Sequence, residues 1–123
     1  MSRDLDTRPR GDTWPGTAAA TGPMSEETIE AVAETLRILA EPTRIRLIEV
    51  LKERGSATVS ALAACVRVTQ QTVSRQLAVL YRAGIVSRRR EGMCVHYELA
   101  DWTGWWLIDQ LASASDADST VMK

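Results

Sequence analysis

One short segment of the chain combines side chains that hydrogen-bond to the edges of DNA bases. In residues 69–80, TQQTVSRQLAVL, the apolar residues Val73, Leu77 and Leu80 have the i, i+4, i+7 spacing of a helix with one buried face. The opposite, polar face contains Gln71, Ser74, Arg75, Ala78 and Arg82. In a major groove, Gln pairs with adenine and Arg with guanine, each through two hydrogen bonds. The pattern predicts a helix that reads DNA; the alternative is an ordinary helix with a solvated polar face.

Residues at both ends of this segment predict where the helix starts and stops. Thr69 suits the N-cap position, so the helix would enter a groove with capped amides. Gly84 suits the left-handed position after the last turn, where Ile85 can return to Leu80 as in a Schellman motif. The residues predicted to contact DNA from the start of the helix are Thr69, Gln70 and Gln71.

The distribution of charge along the chain favours a polyanionic partner. The formal net charge of the 123 residues is −1, but residues 54–90 contain seven Arg and no Asp or Glu. The flanking residues 24–53 and 91–123 are both acidic. Such a basic segment within a nearly neutral chain is typical of a surface that meets a phosphate backbone. The alternative is a solvated Arg face, which normally has interleaved carboxylates.

Two helices are predicted ahead of the basic segment. The first begins at Ser25, and its apolar residues from Ile29 to Ala40 form a single stripe. Pro42 suits the first position of a second helix, over about residues 42–53. Arg44 and Arg46 project from the start of that helix and reach either phosphate or solvent.

A third helix and a tight turn complete a recognisable motif. Thr58 can cap a helix over residues 59–66, and residues 67–69 connect it to the polar helix described above. Two short helices joined by a three-residue turn, with the second polar on its outer face, are typical of a helix–turn–helix.

After Gly84 the apolar period changes from 3.6 to 2, which predicts a β-hairpin. Its strands are residues 85–90 and 93–99, joined by a Glu91-Gly92 loop. This pairing places Arg88 opposite Val95 and Arg89 opposite Cys94. The basic tip of the hairpin, which would follow the DNA backbone or enter a minor groove, consists of Arg88, Arg89 and Arg90. The alternative is an edge ribbon kept soluble by its charge.

The last helix, predicted to begin near Asp101, has apolar residues on most of its sides. A helix of this kind must be buried on most sides, and a small domain has little material left to cover it. We therefore expect a homodimer through the first and last helices, and the alternative is an aromatic ligand pocket. The predicted interface residues are Ile29, Val32, Leu36, Trp102, Trp105, Trp106 and Ile108.

Composition predicts one domain and a cytoplasmic location. We expect residues 1–23, with Trp14, to be a disordered arm, residues 24–113 to be the domain, and residues 114–123 to be a flexible tail. Two isolated Cys give no disulfide framework, and no segment has the length of a membrane span or the form of a secretory signal. A single His, the lack of a Gly-rich phosphate loop and the lack of paired carboxylates in an obvious pocket argue against an enzyme.

Three separated segments have a familiar form: residues 38–47, ILAEPTRIRL; residues 72–77, TVSRQL; and residues 89–99, from Arg89-Arg90-Glu91-Gly92 to Tyr97-Glu98-Leu99. Together they resemble the ArsR/SmtB family of bacterial winged-helix repressors, over about residues 26–112. The resemblance implies a dimeric, mainly α winged helix–turn–helix with a small β-hairpin, an operator of two-fold symmetry, and release by an effector. The DNA-reading positions implied by the family are Gln70, Gln71, Ser74 and Arg75, with a wing of Arg88, Arg89 and Arg90.

The chain departs from the family at the positions that bind metals. Thr58 and Ser60 replace the Cys pair of arsenic and cadmium sensors, and on the last helix Asp101 remains. The other positions of the zinc sensors are occupied by Thr103, Ala114 and Ala117. A closed zinc site needs about four N, S or O ligands, so we expect neither a metal nor another cofactor. Arg67 also stands where related proteins carry Gly, so either the turn avoids a left-handed residue or Arg67 is strained.

Other sensing and binding modes remain open. Cys94 and His96 lie on one strand face near Arg89 and are a sparse alternative metal site. Cys65 and Cys94 suggest a thiol-responsive regulator, and the Trp-rich last helix suggests an organic ligand. From another class, winged helices also act as protein-interaction modules, although the basic segment favours DNA as partner. The effector, if there is one, is not identified by the sequence.

Overall fold

The computed structural model describes the backbone of residues 22–122 and the side chains of residues 22–116. Most of the predicted arm, including Trp14, lies outside the described residues. The elements in chain order are α1 Glu26–Leu39, α2 Pro42–Arg54, β1 Ala57–Thr58, α3 Val59–Val66, α4 Gln70–Arg82, β2 Val86–Glu91, β3 Cys94–Leu99 and α5 Thr103–Met122. The mainly α fold with a small hairpin is confirmed, and β1 is the one element of this order that the sequence did not predict.

Three of the first four helices begin at the capping residues expected from the sequence, and the cap of α2, Glu41, was not predicted. The hydroxyls of Ser25, Thr58 and Thr69 each accept a hydrogen bond from the backbone N–H three residues later, at 3.1 to 3.2 Å. Glu41 caps α2 in the same way with its longer carboxylate, and Pro42 follows at a position that needs no N–H donor. Local side-chain chemistry therefore fixes these helix starts.

The end of α4 is the Schellman motif that the sequence predicted. Gly84, at φ 79°, donates its N–H to the carbonyl of Tyr81 at 3.0 Å. The Ile85 N–H returns to the carbonyl of Leu80 at 2.9 Å. These two bonds satisfy carbonyls that the helix itself leaves free, and they turn the chain directly into β2.

The three strands form an antiparallel sheet in the order β1-β3-β2. Glu91 pairs with Cys94 and Arg88 with Tyr97, so the predicted register is wrong by two residues. The loop is Gly92-Met93, with Gly92 at φ 63°, because Gly accepts the positive φ that the first position of a two-residue hairpin loop requires. A shift of two residues leaves every side chain on its predicted face.

The core lies between the helix–turn–helix and α2. Leu47, Ile48 and Leu51 of α2 are at most 1% exposed. The other fully buried large side chains come from α3 and α4, and they are Leu62, Val73, Leu77 and Leu80. The predicted inner stripe of the polar helix is thus confirmed, and its burial against α2 fixes which face of α4 points outward.

Helix α5 differs from the prediction at both ends. It begins at Thr103, so Trp102 precedes the helix, and the Asp101 carboxylate accepts the Thr103 N–H at 2.9 Å. The predicted domain boundary at residue 113 lies inside α5, because residues 113–122 contain no Gly or Pro that would stop the helix. Within residues 22–122, no helix is long and apolar enough to cross a membrane.

Candidate nucleic-acid interface

The outward face of α4 carries side chains that are free to contact a ligand. Gln70, Gln71, Ser74 and Arg75 are all exposed. No other group among the described residues hydrogen-bonds to their side chains. Thr69 is exposed as well, but its hydroxyl is engaged in capping the helix and contacts the Thr72 hydroxyl at 3.0 Å. This face therefore offers amide, hydroxyl and guanidinium groups with no internal partner to be displaced.

The turn before α4 contains an unusual backbone conformation. Arg67 adopts the left-handed region, with φ 61° and ψ 44°, and is the C-cap of α3. Its N–H and that of Val68 both return to the carbonyl of Ala63, at 2.8 and 3.3 Å. A left-handed conformation costs a residue with a Cβ about 1 kcal/mol or more. Of the two alternatives for this position, the structure thus favours a left-handed turn in which Arg67 is strained.

For Arg44 the sequence leaves two alternatives, contact with phosphate or exposure to solvent. In the structure, Arg44 instead contacts other groups of the protein. Its Nε donates to the backbone carbonyl of Ile38 and its Nη1 to Oε1 of Gln76, both at 2.6 Å. Gln76 lies on α4 between exposed Arg75 and buried Leu77. No local pattern predicts this contact, because Arg44 and Gln76 are separated by 32 residues along the chain.

In the middle of β2, Arg88 interacts with two tyrosines. Its guanidinium lies 4.0 Å from the centre of the Tyr81 ring, and Arg88 pairs with Tyr97 across the strands. A hydrogen bond with the Tyr97 side chain is the main reason that the pKa of Arg88 is raised above its usual value. Tyr81 belongs to the last turn of α4, so this stacking links the hairpin to the polar helix.

The other face of the hairpin carries a cluster of alternating charges. Arg89 donates through Nε to Glu91 at 3.2 Å and through Nη1 to Glu98 at 3.3 Å. His96 Nε2 lies 3.5 Å from the second Glu91 oxygen. The side chain of Arg90 is exposed and has no such partner among the described residues. The three Arg predicted to act alike thus have three different environments.

Two of the residues considered for metal binding, Thr58 and Asp101, accept backbone hydrogen bonds at the starts of helices. The Thr58 hydroxyl caps α3 and lies 3.3 Å from the hydroxyl of Ser60, and Asp101 binds the Thr103 amide. Across the described part of the chain, no three His, Cys, Asp or Glu side chains are arranged to hold a metal ion. Cys65 and Cys94 are exposed free thiols, and Arg54 Nη1 lies 3.5 Å from the Cys65 sulfur.

An exposed apolar surface lies between α1 and α5. Ile29, Val32 and Leu36 of α1 are 44%, 44% and 50% exposed, although all three are large hydrophobic residues. Beside them an apolar groove of about 800 Å³ is lined by residues from α1, α2 and α5, including Leu36, Ile45, Trp106, Ile108 and Leu111. We call this surface and its groove the α1–α5 face.

The predicted interface residues of the last helix divide between two environments. Trp106 and Ile108 line the groove of the α1–α5 face. Trp105 packs against the core of its own subunit, and the ammonium group of Lys52 lies 5.2 Å from its ring centre. Trp102 is half-buried before the helix, and its carbonyl accepts the Trp106 N–H at 2.9 Å.

A helix–turn–helix whose second helix is polar on its outer face, followed at once by a basic hairpin, defines a winged helix–turn–helix domain. Comparison with known proteins agrees with this class. Residues 39–89 match the family model described as a helix-turn-helix domain. The chain is 39% identical to the biofilm growth-associated repressor of Agrobacterium fabrum, over 72% of this chain and 75% of that protein. It is 33% identical to the arsenical resistance operon repressor of Escherichia coli, over 63% of this chain and 68% of that one.

A solved structure is similar over most of its length. The homodimeric winged helix–turn–helix DNA-binding domain from Mycobacterium bovis, a possible ArsR-family transcriptional regulator, superposes with a TM-score of 0.64 at 25% identity. The superposition covers 79% of this chain and 91% of that domain. The chain belongs to the ArsR/SmtB family of helix–turn–helix transcriptional regulators. This family consists of DNA-binding regulators, which confirms the prediction that the chain is not an enzyme.

Proposed function

We propose that the protein is a transcriptional repressor that binds an inverted-repeat operator as a homodimer in the cytoplasm. The observation that carries this proposal is the outward face of α4, where Gln70, Gln71, Ser74 and Arg75 are exposed and unengaged. In a major groove these side chains read base edges, while the capped start of the helix at Thr69 approaches the backbone. The wing residues Arg88, Arg89 and Arg90 contact phosphate beside the helix.

The homodimer is supported by the apolar α1–α5 face. Three large hydrophobic side chains of one helix are about half exposed, and the adjoining groove is almost wholly apolar. Exposed apolar patches of this kind mark interaction surfaces. In a two-fold dimer the same face covers its copy, and the two α4 helices then enter major grooves about 34 Å apart. The similar domain from Mycobacterium bovis is homodimeric, which agrees with this arrangement.

The release mechanism is proposed to be independent of the family's metal positions. Thr58 and Asp101 are engaged in capping bonds, the Ser60 hydroxyl contacts that of Thr58, and Thr103 is the first residue of α5. Hydroxyls and one carboxylate in these places make a poor zinc site. A thiol-directed or organic effector fits the exposed Cys65 and Cys94 or the apolar groove better.

Fluorescence anisotropy tests the proposed function. The protein is titrated onto labelled DNA from upstream of its own gene and onto scrambled DNA of equal length, at two salt concentrations. A preference of about a thousandfold or more for the upstream DNA is expected, which is the low end of the range for specific regulators. Equal, weak and salt-sensitive binding to both DNAs would contradict self-regulation by this protein. Added Zn²⁺ is expected to leave the preference unchanged.

A further inference from the structure

The Arg44 side chain lies where three helices meet. It stands near the start of α2, and its backbone N–H binds the capping carboxylate of Glu41 at 3.1 Å. The guanidinium donates in two directions, to the Ile38 carbonyl in the last turn of α1 and to the Gln76 side chain in the middle of α4. Both of these bonds are 2.6 Å long and partly buried. The Arg44 side chain thus connects α1 to α4.

The bond to Ile38 replaces one that the backbone cannot make. In a continuous helix the Ile38 carbonyl would accept the N–H of residue 42, but residue 42 is Pro and has no N–H. Arg44 Nε supplies the missing donor. It also places a positive charge at the negative end of the α1 dipole. The bond to Ile38 therefore holds the guanidinium at the end of α1, from which it also reaches α4.

The bond to Gln76 constrains the rotation of α4 about its own axis. Gln76 is adjacent in sequence to Arg75, one of the exposed side chains proposed to read DNA, and it lies on the flank of the helix. Charge-assisted hydrogen bonds are stronger than neutral ones. A Lys could replace this contact only in part, because its single ammonium group keeps the charge but lacks the planar fork that reaches two acceptors in fixed directions.

We propose that Arg44 is a positioning residue for DNA recognition. Its guanidinium sets the orientation of α4 relative to α1, and so relates the DNA-reading face to the α1–α5 face where the second copy docks. This inference rests on the proposed function. It predicts that Arg44 affects the recognition of the correct sequence and has little effect on the general attraction to DNA.

A direct phosphate contact is the competing role for Arg44, and it has a different signature. Loss of a phosphate contact weakens binding to all sequences alike and lowers the salt slope by about one. Loss of a positioning contact weakens binding to the upstream DNA, leaves scrambled DNA unaffected and keeps the salt slope. Arg46 is the matched control, because it is an exposed Arg on the same helix without these bonds.

The experiment compares Arg44→Met, Arg44→Lys, Gln76→Leu, the double variant Arg44→Met/Gln76→Leu, and Arg46→Met by anisotropy on upstream and scrambled DNA. Arg44→Met and Gln76→Leu are each expected to lose roughly tenfold in affinity for upstream DNA, and the double variant is expected to be no weaker than Arg44→Met. Arg44→Lys falls between Arg44→Met and the wild type. Additive losses, or an equal loss on both DNAs with a smaller salt slope, would overturn the proposal.

Hydrogen exchange without DNA gives a second readout that does not depend on the operator. Arg44→Met and Gln76→Leu are expected to speed amide exchange in α4, while Arg46→Met leaves it unchanged. Unchanged exchange in both variants would refute the positioning role whatever the DNA results. If instead the wild type shows no preference for the upstream DNA, the self-regulation part of the proposed function fails, while hydrogen exchange still tests the link between Arg44 and α4. Thermal unfolding confirms that each variant is folded at the temperature used.

Discussion

At the scale of single residues, the arginines of the basic segment have quite different surroundings. Arg75 is exposed on α4 without a partner, Arg88 is stacked on Tyr81, and Arg89 is paired with two carboxylates. Arg90 is exposed beside them. A count of charges along the sequence treats these four as equal. We propose that Arg75 reads bases, that Arg88 orients the wing, and that Arg90 contacts phosphate more strongly than Arg89, whose charge is already partly neutralised.

Variants of Arg75 and Arg90 give the clearest test that α4 recognises bases and that the wing contacts phosphate. Arg75→Ala should cost about 1–3 kcal/mol on the upstream DNA and much less on scrambled DNA, because a base contact is lost. Arg90→Ala should weaken both DNAs equally and lower the salt slope by about one. Anisotropy at several salt concentrations measures both effects.

Arg89→Ala serves as the internal comparison for that pair of variants. Since Glu91 and Glu98 already offset its charge, Arg89→Ala is expected to weaken both DNAs less than Arg90→Ala does. If Arg75→Ala and Arg90→Ala lose the same affinity on each of the two DNAs, the assignment of base recognition to α4 and phosphate contact to the wing is contradicted.

At the scale of elements, the features set by neighbouring residues were predictable and those set by distant ones were not. The caps at Ser25, Thr58 and Thr69 and the Schellman motif at Gly84 depend on residues within one turn, so the sequence contains them. Strand β1 has only two residues, too few for a periodic pattern, and it exists because β3 provides a partner.

In the candidate site, too, the features set by neighbouring residues were predictable and those set by distant residues were not. The exposed residues of α4 follow from helical spacing alone, as soon as the buried stripe is assigned. The hairpin register depended on which pair of residues forms the loop, and the ion cluster around Arg89 becomes visible only in the correct register. The contact of Arg44 with Gln76 depends on the packing of α2 against α4, which no local pattern encodes.

The turn between α3 and α4 allows a stability prediction. Arg67→Gly should stabilise the fold by about 0.5–1 kcal/mol, because relief of left-handed strain exceeds the extra backbone entropy of Gly in the unfolded chain. Urea unfolding monitored by circular dichroism measures the change. Arg67→Ala is the matched control, since it removes the same charge while keeping the Cβ, and it should not stabilise. A stabilisation of equal size by Ala would show that charge, not backbone strain, is responsible.

At the scale of the whole molecule, the surfaces proposed for DNA binding and for dimerisation are different. The outward face of α4 and the wing form a polar, basic surface, and the α1–α5 face is apolar. Arg44 connects them through α2. A ligand that changed the packing of the α1–α5 face would therefore act next to the residue that orients the reading helix. We expect regulation of this protein to pass through that junction.

The dimer is tested by placing a charge on its proposed interface. Leu36 is half exposed on α1 and lines the groove of the α1–α5 face. In a two-fold interface Leu36→Asp removes two buried leucines, so dimerisation should weaken by about 3 kcal/mol or more, roughly a hundredfold. Analytical ultracentrifugation over a dilution series measures the shift.

Met93→Asp is the control for Leu36→Asp. Met93 is an apolar side chain at the hairpin loop, 94% exposed and away from α1 and α5, and the substitution adds the same charge. It should leave the association unchanged. A wild-type protein that stays monomeric at tens of micromolar would rule out the dimer itself.

The two surfaces differ in the aromatic residues they carry, which gives the molecule an optical reporter for one of them. Tyr81 and Tyr97, the only tyrosines in the chain, both contact Arg88 at the wing. Trp106 lines the groove of the α1–α5 face, whereas Trp105 packs against the core. In a variant whose other three tryptophans are replaced by Phe, tryptophan emission should therefore report docking or ligands at the α1–α5 face. Measured together with the anisotropy of labelled DNA, this emission shows which of the two events occurs first.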